Sequence, residues 1–489
     1  MPMNKNLYAL LSARFAPARD AVCLELEDGS VFTYADVDRE SARFANLLRS
    51  RGLRPGDRVA AQLEKSAQAV FLYLGCLRAG FAYLPLNTAY REGEISYFVA
   101  DAEPAAAFCS PAARDWFSGV PNRLELDQAK DQPDTFETAQ RSDGDLACIV
   151  YTSGTTGRSK GAMVTHGNLW SNAQALHAYW KFVPGDVLLH CLPLFHVHGL
   201  FVALHTALLN ASRIVFQSKF DAATVVRTLP RCSVFMGVPT YYVRLLAEPS
   251  FDRAACERMR LFVSGSAPLL ADTFSQFRSR TGHDILERYG MTETGMNTSN
   301  PYDGERRAGT VGFPLPGIEV RVADAEDRPL PPGEVGGIQV RGPNVMAGYW
   351  KLAARRSEDF TADGYFRTGD LGTFDADGYL SIVGRAKDLV ISGGYNVYPK
   401  EIEMLLDELP GVVESAAFGV PHPDFGEAVT VAIVPEPGAQ LSERDIIAYV
   451  KGKLANYKVP KRVVFVPQLP RNTMGKVLKN ELRAAYAGK

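Results

Sequence analysis

Hydroxyl side chains, glycines and one lysine alternate over residues 151–161, which read Y-T-S-G-T-T-G-R-S-K-G after the apolar run 146–150. Glycine lets backbone N–H groups approach an oxyanion closely, hydroxyls donate further hydrogen bonds, and lysine adds a point charge. The segment predicts a phosphate-binding loop built from Thr152, Ser153, Gly154, Thr155, Thr156, Gly157 and Lys160. It is not a Walker A loop, because glycine follows the lysine where Ser or Thr would stand. A Gly/Ser/Thr-rich surface turn is the alternative.

Five more polar segments follow along the chain. They are 265–268 (G-S-A-P), 289–294 (Y-G-M-T-E-T), 367–371 (R-T-G-D-L), 384–388 (G-R-A-K-D) and 470–476 (P-R-N-T-M-G-K). With the loop at 151–161 they resemble the motifs of the adenylate-forming superfamily, which includes acyl-CoA synthetases, luciferases and nonribosomal adenylation domains. The resemblance covers essentially the whole chain. It implies an acid–thiol ligase that joins a carboxylate to CoA through an acyl-adenylate, with release of pyrophosphate and AMP.

Such a reaction develops negative charge on phosphate oxygens, so catalysis consists mainly of positioning and of fixed positive charge. Glu293 is suited to bind Mg²⁺, Thr292 to donate to the α-phosphate of ATP, and Lys476 to supply a cation. The resemblance implies that Asp370, with Arg385 nearby, accepts hydrogen bonds from the ribose hydroxyls. It also implies that the nucleotide lies against Gly265, Ser266, Ala267 and Pro268, and against Glu287, Arg288, Tyr289, Gly290 and Met291.

The resemblance further implies two postures of the C-terminal part. Lys387 stands where the superfamily has its hinge residue, so the domain that delivers Lys476 for adenylation is expected to rotate about it. The rotation would present Ser392, Gly393, Gly394 and Tyr395 to the pantetheine arm of CoA. Glycines suit this task, because a thiol on a thin arm needs a narrow tunnel free of side chains.

Two histidines mark the expected acyl pocket. His196 and His198 lie in the segment 193–199 (P-L-F-H-V-H-G), where the superfamily places an aromatic or histidine residue between acyl pocket and thiol tunnel. Which of the two faces the substrate stays open. Alternatives are a core histidine that is satisfied by hydrogen bonds, and a metal site, although no further ligand follows at fitting spacing.

Two arginines predict the chemistry of the acid. Arg244 follows the strand-to-helix turn 237–242, and Arg288 directly precedes Tyr289. An arginine that faces an acyl pocket requires an anionic substrate tail, because a desolvated charge without a partner is costly. The segments around His196 and at 286–302 resemble malonyl-CoA synthetases. We therefore expect malonate, with methylmalonate as a further candidate, held by Arg244 with help from Arg288 and from Ser264 or Ser266.

Each arginine has an alternative reading as a structural ion pair with a neighbouring acid such as Glu287. Rival functions are ligation of another short or aryl carboxylate, loading of a carrier protein by a stand-alone adenylation domain, and AMP sensing on a decayed synthetase fold. The non-enzyme hypothesis is disfavoured, because the groups that the chemistry needs are all present, Lys476 included.

The elements that must position these residues alternate between β-like runs and helical patterns from Phe32 onward, which predicts a layered α/β fold with parallel sheets. Short apolar runs at 214–216, 234–236 and 261–263 are typical of buried parallel strands. Proline and glycine accumulate after Val311 and indicate a β-rich subdomain. After Arg385 the pattern predicts a small, mobile α+β domain, with helices at 399–408 and 442–454 and strands at 412–420, 429–434 and 462–466. We thus expect domains 1–385 and 386–489.

Composition excludes several classes of protein. The 489 residues carry 55 acidic and 53 basic side chains, so no charge excess points to nucleic acid or to an anionic membrane surface. The seven cysteines are scattered without a C-x₂-C pair, which argues for a reducing compartment, and no apolar run reaches spanning length. We expect a cytoplasmic enzyme without a membrane or nucleic-acid partner, either a monomer or a homodimer.

Overall fold

The computed structural model describes residues 3–152, 159–353, 356–392, 395–422, 425–472 and 475–487. Its strands are β1 Val22–Leu26, β2 Val31–Thr33, β3 Arg58–Gln62, β4 Ala82–Pro85, β5 Ala106–Cys109, β6 Asn122–Leu124, β7 Leu146–Thr152, β8 Lys160–Thr165, β9 Val187–His190, β10 Arg213–Phe216, β11 Val234–Gly237, β12 Leu261–Ser264, β13 Leu286–Met291, β14 Gly295–Ser299, β15 Phe313–Pro314, β16 Glu319–Ala323, β17 Gly336–Arg341, β18 Gly348–Tyr349, β19 Phe366–Phe374, β20 Leu380–Arg385, β21 Val390–Ser392, β22 Tyr395–Val397, β23 Val412–His422, β24 Gly426–Pro435 and β25 Arg462–Phe465.

The α-helices are α1 Leu7–Phe15, α2 Tyr34–Ser50, α3 Ala67–Ala79, α4 Glu92–Ala102, α5 His166–Tyr179, α6 Leu204–Leu209, α7 Ala222–Thr228, α8 Pro239–Leu246, α9 Ala271–Thr281, α10 Arg356–Asp359, α11 Pro399–Asp407, α12 Glu443–Lys451 and α13 Lys479–Tyr486. A π-helical turn, His198–Ala203, leads into α6, and a 3₁₀ turn, Ala386–Asp388, follows β20.

Two large sheets form the body of the protein. One has nine strands in the order β15-β14-β13-β12-β11-β9-β10-β1-β2, and the run from β13 to β1 is parallel. The other has seven strands in the order β18-β8-β7-β4-β3-β5-β6, with β7, β4, β3, β5 and β6 parallel. Parallel strands joined by helices bring their carboxyl ends to one edge, where ligand sites lie in α/β folds.

Helix α3 shows how the sequence builds the core between these sheets. It is apolar on all sides, and every residue from Ala67 to Ala79 except Gln68 is buried, as expected of a helix enclosed by other elements. Ser66 caps its start through a hydrogen bond from the Ala69 N–H. At Gly75 an added Cβ would lie 2.8 Å from the Ser41 carbonyl oxygen, so glycine lets α2 and α3 pack closely.

Two smaller sheets follow. The antiparallel sheet β16-β17-β19-β20 carries the R-T-G-D-L and G-R-A-K-D segments on neighbouring strands. After the 3₁₀ turn, β21 to β25 form a five-stranded sheet that packs with α11 and α12 around its own apolar cluster. This core of its own is what an independent domain requires. The boundary at residue 385 remains a prediction.

The predicted α/β class is confirmed, and the elements quoted above lie where the pattern placed them, with shifts of a few residues at their ends. The helix predicted over 442–454 is shorter, Glu443–Lys451, because Gly452 follows it. Within the described ranges, no helix combines the length and apolarity that crossing a bilayer demands.

Candidate active site

The predicted acyl pocket lies at the carboxyl ends of β11 and β12, beside the start of β13. Gly237 pairs in register with Ser264, and Ser264 with Glu287, so the last residues of β11 and β12 lie beside the second residue of β13. Strand β13 then runs on into an antiparallel hairpin with β14. The G-S-A-P and Y-G-M-T-E-T segments are thereby neighbours in space, although they are separate in the sequence.

Arg288 is the central side chain of this edge. It is 3% exposed, and its Nε and Nη2 atoms have no hydrogen-bond partner among the described residues. Burial lowers the pKa of its guanidinium to about 9. Gly265 makes room for it, since an added Cβ there would lie 2.4 Å from Cζ of Arg288. A buried guanidinium without an anion is costly, so this position calls for an anionic ligand.

The alternative of an Arg288–Glu287 ion pair is not found in the described part of the chain. Consecutive residues of a strand point to opposite faces of the sheet, which separates the two side chains. Glu287 is buried and accepts a hydrogen bond from the Leu269 N–H at 3.0 Å. Burial raises the pKa of its carboxyl to about 7.

Further polar atoms lie on Ser264, His198 and Ser266, close to this edge of the sheet. Ser264 Oγ and His198 Nε2 are buried without a hydrogen-bond partner in the described residues. His198 Nδ1 lies 3.4 Å from Ser266 Oγ, and Ser266 has a φ of 72°, a conformation that costs free energy for a residue other than glycine. Strain and unpaired polar atoms at one place are typical of a ligand site.

Both histidines of the H-V-H segment lie close to this arginine. His196 accepts a hydrogen bond at Nδ1 from the backbone N–H of His198, at 3.2 Å. Burial, followed by the charge of Arg288, lowers the pKa of His196 to about 4 and holds the pKa of His198 well below its usual range. Both rings are therefore neutral near pH 7. Among the described residues, no group of three or more His, Cys, Asp or Glu side chains is arranged to hold a metal ion.

Arg244 has a different environment. It lies on α8, which starts directly after β11 as the sequence predicts, but its side chain is exposed. The enclosed guanidinium is thus Arg288 and not Arg244. A role for Arg244 in substrate binding remains a prediction.

Asp370 forms the centre of the nucleotide side. It is 3% exposed; its Oδ2 accepts a hydrogen bond from Tyr289 Oη at 2.7 Å, and its Oδ1 pairs with Nε of Arg385 at 2.9 Å. Strand pairing places Asp370 opposite Arg385, so the two motifs meet through β19 and β20. Each carboxylate oxygen keeps a second acceptor position, which suits a ligand with two neighbouring hydroxyls.

Lys160 and Glu293 meet through Tyr349, a residue that the sequence reasoning missed. Lys160 Nζ lies 4.6 Å from the centre of the Tyr349 ring, and Tyr349 Oη donates to Glu293 Oε1 at 3.0 Å. Burial raises the pKa of Glu293, while a hydrogen bond from the Thr152 side chain opposes this shift. A short strand brings Tyr349 here, since β18 pairs with β8 next to Lys160. No local sequence signal marks such a distant contact.

Lys476 reaches this site from the C-terminal part of the chain. Burial lowers the pKa of its ammonium to about 8; Arg385 and Lys387 lower it further, and Asp370 and Asp388 oppose them. The preceding residue, Gly475, has a φ of 76°, and an added Cβ would lie 3.2 Å from Cγ2 of Thr240. The lysine therefore faces the Asp370 region, while its loop contacts the first turn of α8.

The remaining predicted residues have mixed placements. Ser392 is buried at the end of β21, Tyr395 is 59% exposed at the start of β22, and Lys387 is exposed in the 3₁₀ turn. Ala267, Gly290, Met291 and Thr292 are half-buried along the same edge, and Pro268 is exposed. The predicted residues Ser153, Gly154, Thr155, Thr156, Gly157, Gly393 and Gly394 lie outside the described residues.

Fold and site together define an enzyme that activates a carboxylate with a nucleotide. Comparison with known proteins agrees: the profile of the AMP-binding enzyme family matches residues 11–350, and that of the AMP-binding enzyme C-terminal domain matches residues 401–476. The chain belongs to this family of adenylate-forming enzymes, and its predicted class, an acid–thiol ligase that uses ATP and CoA, is confirmed.

Among its relatives are a feruloyl-CoA synthase from Amycolatopsis sp., 36% identical over 97% of both chains, and the malonate–CoA ligase of Arabidopsis thaliana, 36% identical over 98% of this chain and 89% of that one. The crystal structure of ATP-bound MatB from Rhodopseudomonas palustris is similar over 99% of both chains, with 50% identity and a TM-score of 0.97. The apo structure of the same protein, at the same identity and coverage, has a TM-score of 0.85.

Proposed function

We propose that this protein ligates malonate to CoA through malonyl-AMP, with methylmalonate as a further candidate substrate. The observation that carries the proposal is Arg288, a buried guanidinium whose Nε and Nη2 atoms have no hydrogen-bond partner among the described residues. The far carboxylate of a short diacid would pair with this guanidinium. Relatives named for an aromatic acid and for malonate are equally similar to this chain, so similarity alone does not choose the substrate.

The first half-reaction is adenylation. One malonate carboxylate oxygen attacks the α-phosphorus of ATP, a P–O bond forms, and pyrophosphate leaves with its bonding electron pair. Lys476 and Lys160 offset the growing negative charge on the phosphates. Asp370 orients the ribose through the acceptor positions that Tyr289 and Arg385 leave open.

Glu293 fits a divalent cation. Its carboxylate is buried, and its pKa is raised by that burial, so a cation beside it would restore the charged form. Mg²⁺ is commonly held by one or two carboxylates together with substrate phosphates, and Glu293 would supply one of these carboxylates. When bound, Mg²⁺ would neutralise charge on the phosphates. Thr152 and Tyr349 orient the Glu293 carboxylate by hydrogen bonds.

The second half-reaction is thioester formation. The CoA thiol, as its thiolate, attacks the carbonyl carbon of malonyl-AMP, a C–S bond forms, and AMP leaves. Neutral His196 and His198 are suited to contact a neutral acyl group, whereas Arg288 keeps the far carboxylate fixed through both steps. Removing one partner of a buried charged pair costs about 2–5 kcal/mol, which makes acids without the second carboxylate poor substrates.

A substrate panel tests the proposal. AMP production that depends on added CoA is measured with malonate, methylmalonate, succinate, acetate, octanoate and ferulate. We expect kcat/KM for malonate to exceed that for acetate by about a hundredfold or more, since the far carboxylate supplies the missing partner of Arg288. A preference for octanoate or ferulate, or AMP release that needs a carrier protein in place of CoA, would contradict it.

A further inference from the structure

Lys65 joins the two large sheets close to the acyl pocket. It lies in the turn between β3 and α3, while its Nζ contacts the end of β9: it is 2.8 Å from His190 Nδ1 and 2.8 Å from the His190 carbonyl oxygen. The same amine lies 4.3 Å from the centre of the Phe216 ring, at the end of β10. The amine therefore directs its N–H groups at three acceptors on the nine-stranded sheet, namely the His190 ring, the His190 carbonyl oxygen and the face of the Phe216 ring.

His190 links Lys65 to the segment 193–199, which carries His196 and His198. It is 1% exposed, and its Nε2 lies 2.9 Å from the Gly199 carbonyl oxygen. The amine of Lys65 donates to Nδ1, and a carbonyl oxygen can only accept, so the proton of the imidazole is on Nε2. Burial and the neighbouring Lys65 hold the pKa of His190 well below its usual range, which keeps this ring neutral.

Gly199 fixes the course of the loop that carries His196 and His198. An added Cβ at Gly199 would lie 2.1 Å from the Pro193 carbonyl oxygen, so the loop folds back tightly on itself. The π-helical turn starts at His198, whose ring contacts Ser266 on the opposite wall of the pocket. The Gly199 carbonyl oxygen also accepts a hydrogen bond from the Leu204 N–H, so His190 ties the start of this π-helical turn to the end of β9.

We propose that Lys65 and His190 are positioning residues that hold the 193–199 loop, and with it His198, against the acid substrate. The inference rests on the proposed function, since it assigns the loop to the acid and not to the nucleotide. Two apolar side chains would fill the gap between the sheets without the cost of desolvating an amine. The chain of hydrogen bonds from Lys65 through His190 to Gly199 instead fixes one geometry of the loop.

Three variants test the inference. Lys65→Met and His190→Leu break the chain of hydrogen bonds, whereas His190→Gln keeps an acceptor and a donor in the same place. We expect the first two variants to raise KM for malonate about three- to tenfold, because each removes a hydrogen bond that holds the loop. KM for ATP should stay within about twofold. His190→Gln should restore most of the loss.

His205→Leu is the matched control. His205 is a buried histidine on α6, directly after the π-helical turn, and its Nε2 contacts Tyr73 Oη at 2.8 Å with no link to the loop. We expect it to lower the melting temperature and leave both KM values near those of the wild type.

Equal losses toward malonate and ATP in Lys65→Met, unchanged KM values in it, or the same KM pattern in His205→Leu would each overturn the inference. If Lys65→Met and His190→Leu fail to fold, Lys65→Gln, whose shorter side chain loses the contact with His190, is compared with the wild type, and an unchanged KM for malonate in it overturns the inference. If the wild-type protein does not use malonate, the proposed function has failed. The KM values of the variants are then measured with ATP and with the acid that the wild type does use.

Discussion

At the scale of single residues, Arg288 is the side chain from which we infer the kind of acid that the site accepts. Most buried charges in proteins are paired, and a guanidinium that keeps Nε and Nη2 unpaired while 3% exposed is destabilising unless a ligand completes it. Neighbouring arginines show the contrast. Arg306 donates to the carbonyl oxygens of Pro301, Asp284 and Tyr302, so it is a structural arginine.

This contrast gives a prediction with its own control. Arg288→Leu should lower kcat/KM for malonate about a hundredfold or more, leave acetate nearly unaffected, and hold or raise the melting temperature, because an unpaired buried charge is removed. Arg306→Leu should do the opposite, with a lower melting temperature and an unchanged ratio of malonate to acetate. Steady-state kinetics and thermal unfolding of both variants provide the measurement. A parallel loss toward both acids in Arg288→Leu would contradict the assignment.

Sequence patterns identified the residue types of the site but not their relative burial. Both Arg244 and Arg288 were expected at the pocket, and only the fold shows that the strand residue is enclosed while the helix residue is exposed. Tyr349, Lys65 and His190 escaped the sequence reasoning, because each acts through a partner more than one hundred residues away. Such contacts depend on sheet order, which a local pattern does not contain.

At the scale of elements, α4 holds both ends of the predicted phosphate loop. Tyr97 on α4 donates from Oη to the Ser159 carbonyl oxygen at 2.7 Å, just before Lys160. On the other side of the loop, Tyr151 donates to Asp101 Oδ2 at 2.6 Å. Tyr151 and Ser159, which flank the glycine-rich segment, are thereby held by one helix, and this reduces the conformational entropy that they lose when phosphate binds.

Tyr97→Phe should therefore weaken the contacts with ATP. One lost hydrogen bond is worth about 0.5–1.5 kcal/mol, so we expect KM for ATP to rise about two- to tenfold, with KM for malonate unchanged. Tyr90→Phe is the control, since Tyr90 packs on Phe98 in the same cluster, with ring centroids 5.1 Å apart, and among the described residues its hydroxyl makes no hydrogen bond to Tyr151 or Ser159. A shift in KM for malonate as large as that for ATP would contradict the idea that α4 serves ATP binding by holding the ends of the phosphate loop.

Elements were the easiest level to predict. Short apolar strands and capped amphipathic helices carry their own signals, as at β12 and at α12, where Ser442 and Asp445 form a capping box. Sheet order carried no such signal: nothing local indicates that β1, near the start of the chain, pairs with β10. The apolar runs at 234–236 and 261–263 predicted β11 and β12, whereas the pairing of β12 with β13 had no local signal.

At the scale of the whole molecule, the C-terminal part of the chain brings Lys476 close to Asp370 and Arg385, which is what the predicted adenylation posture requires. The charges of Asp370 and Arg385 act on Lys476, and Gly475 lies against Thr240. The match to ATP-bound MatB, at a TM-score of 0.97 against 0.85 for the apo form, supports the same arrangement. Rotation about Lys387 into a second posture remains a prediction; it would withdraw Lys476 from the site.

Separating the half-reactions tests the two postures. Lys476→Ala should abolish malonyl-AMP formation, followed as pyrophosphate release, because the cation on the phosphates is lost. Thioester formation from supplied malonyl-AMP should continue at a rate within a few-fold of the wild type, since Lys476 would have left the site by then. Equal loss of both half-reactions would indicate a single posture.

The central claim is that the far carboxylate of a short diacid pairs with the buried Arg288 guanidinium. A crystal structure with malonyl-AMP, or with a nonhydrolysable analogue, measures this directly. We predict carboxylate oxygens about 2.7–2.9 Å from Nε or Nη2 of Arg288, with Ser264 Oγ as a further donor. A far carboxylate that faces solvent, with the Arg288 guanidinium still unpaired, would contradict the claim.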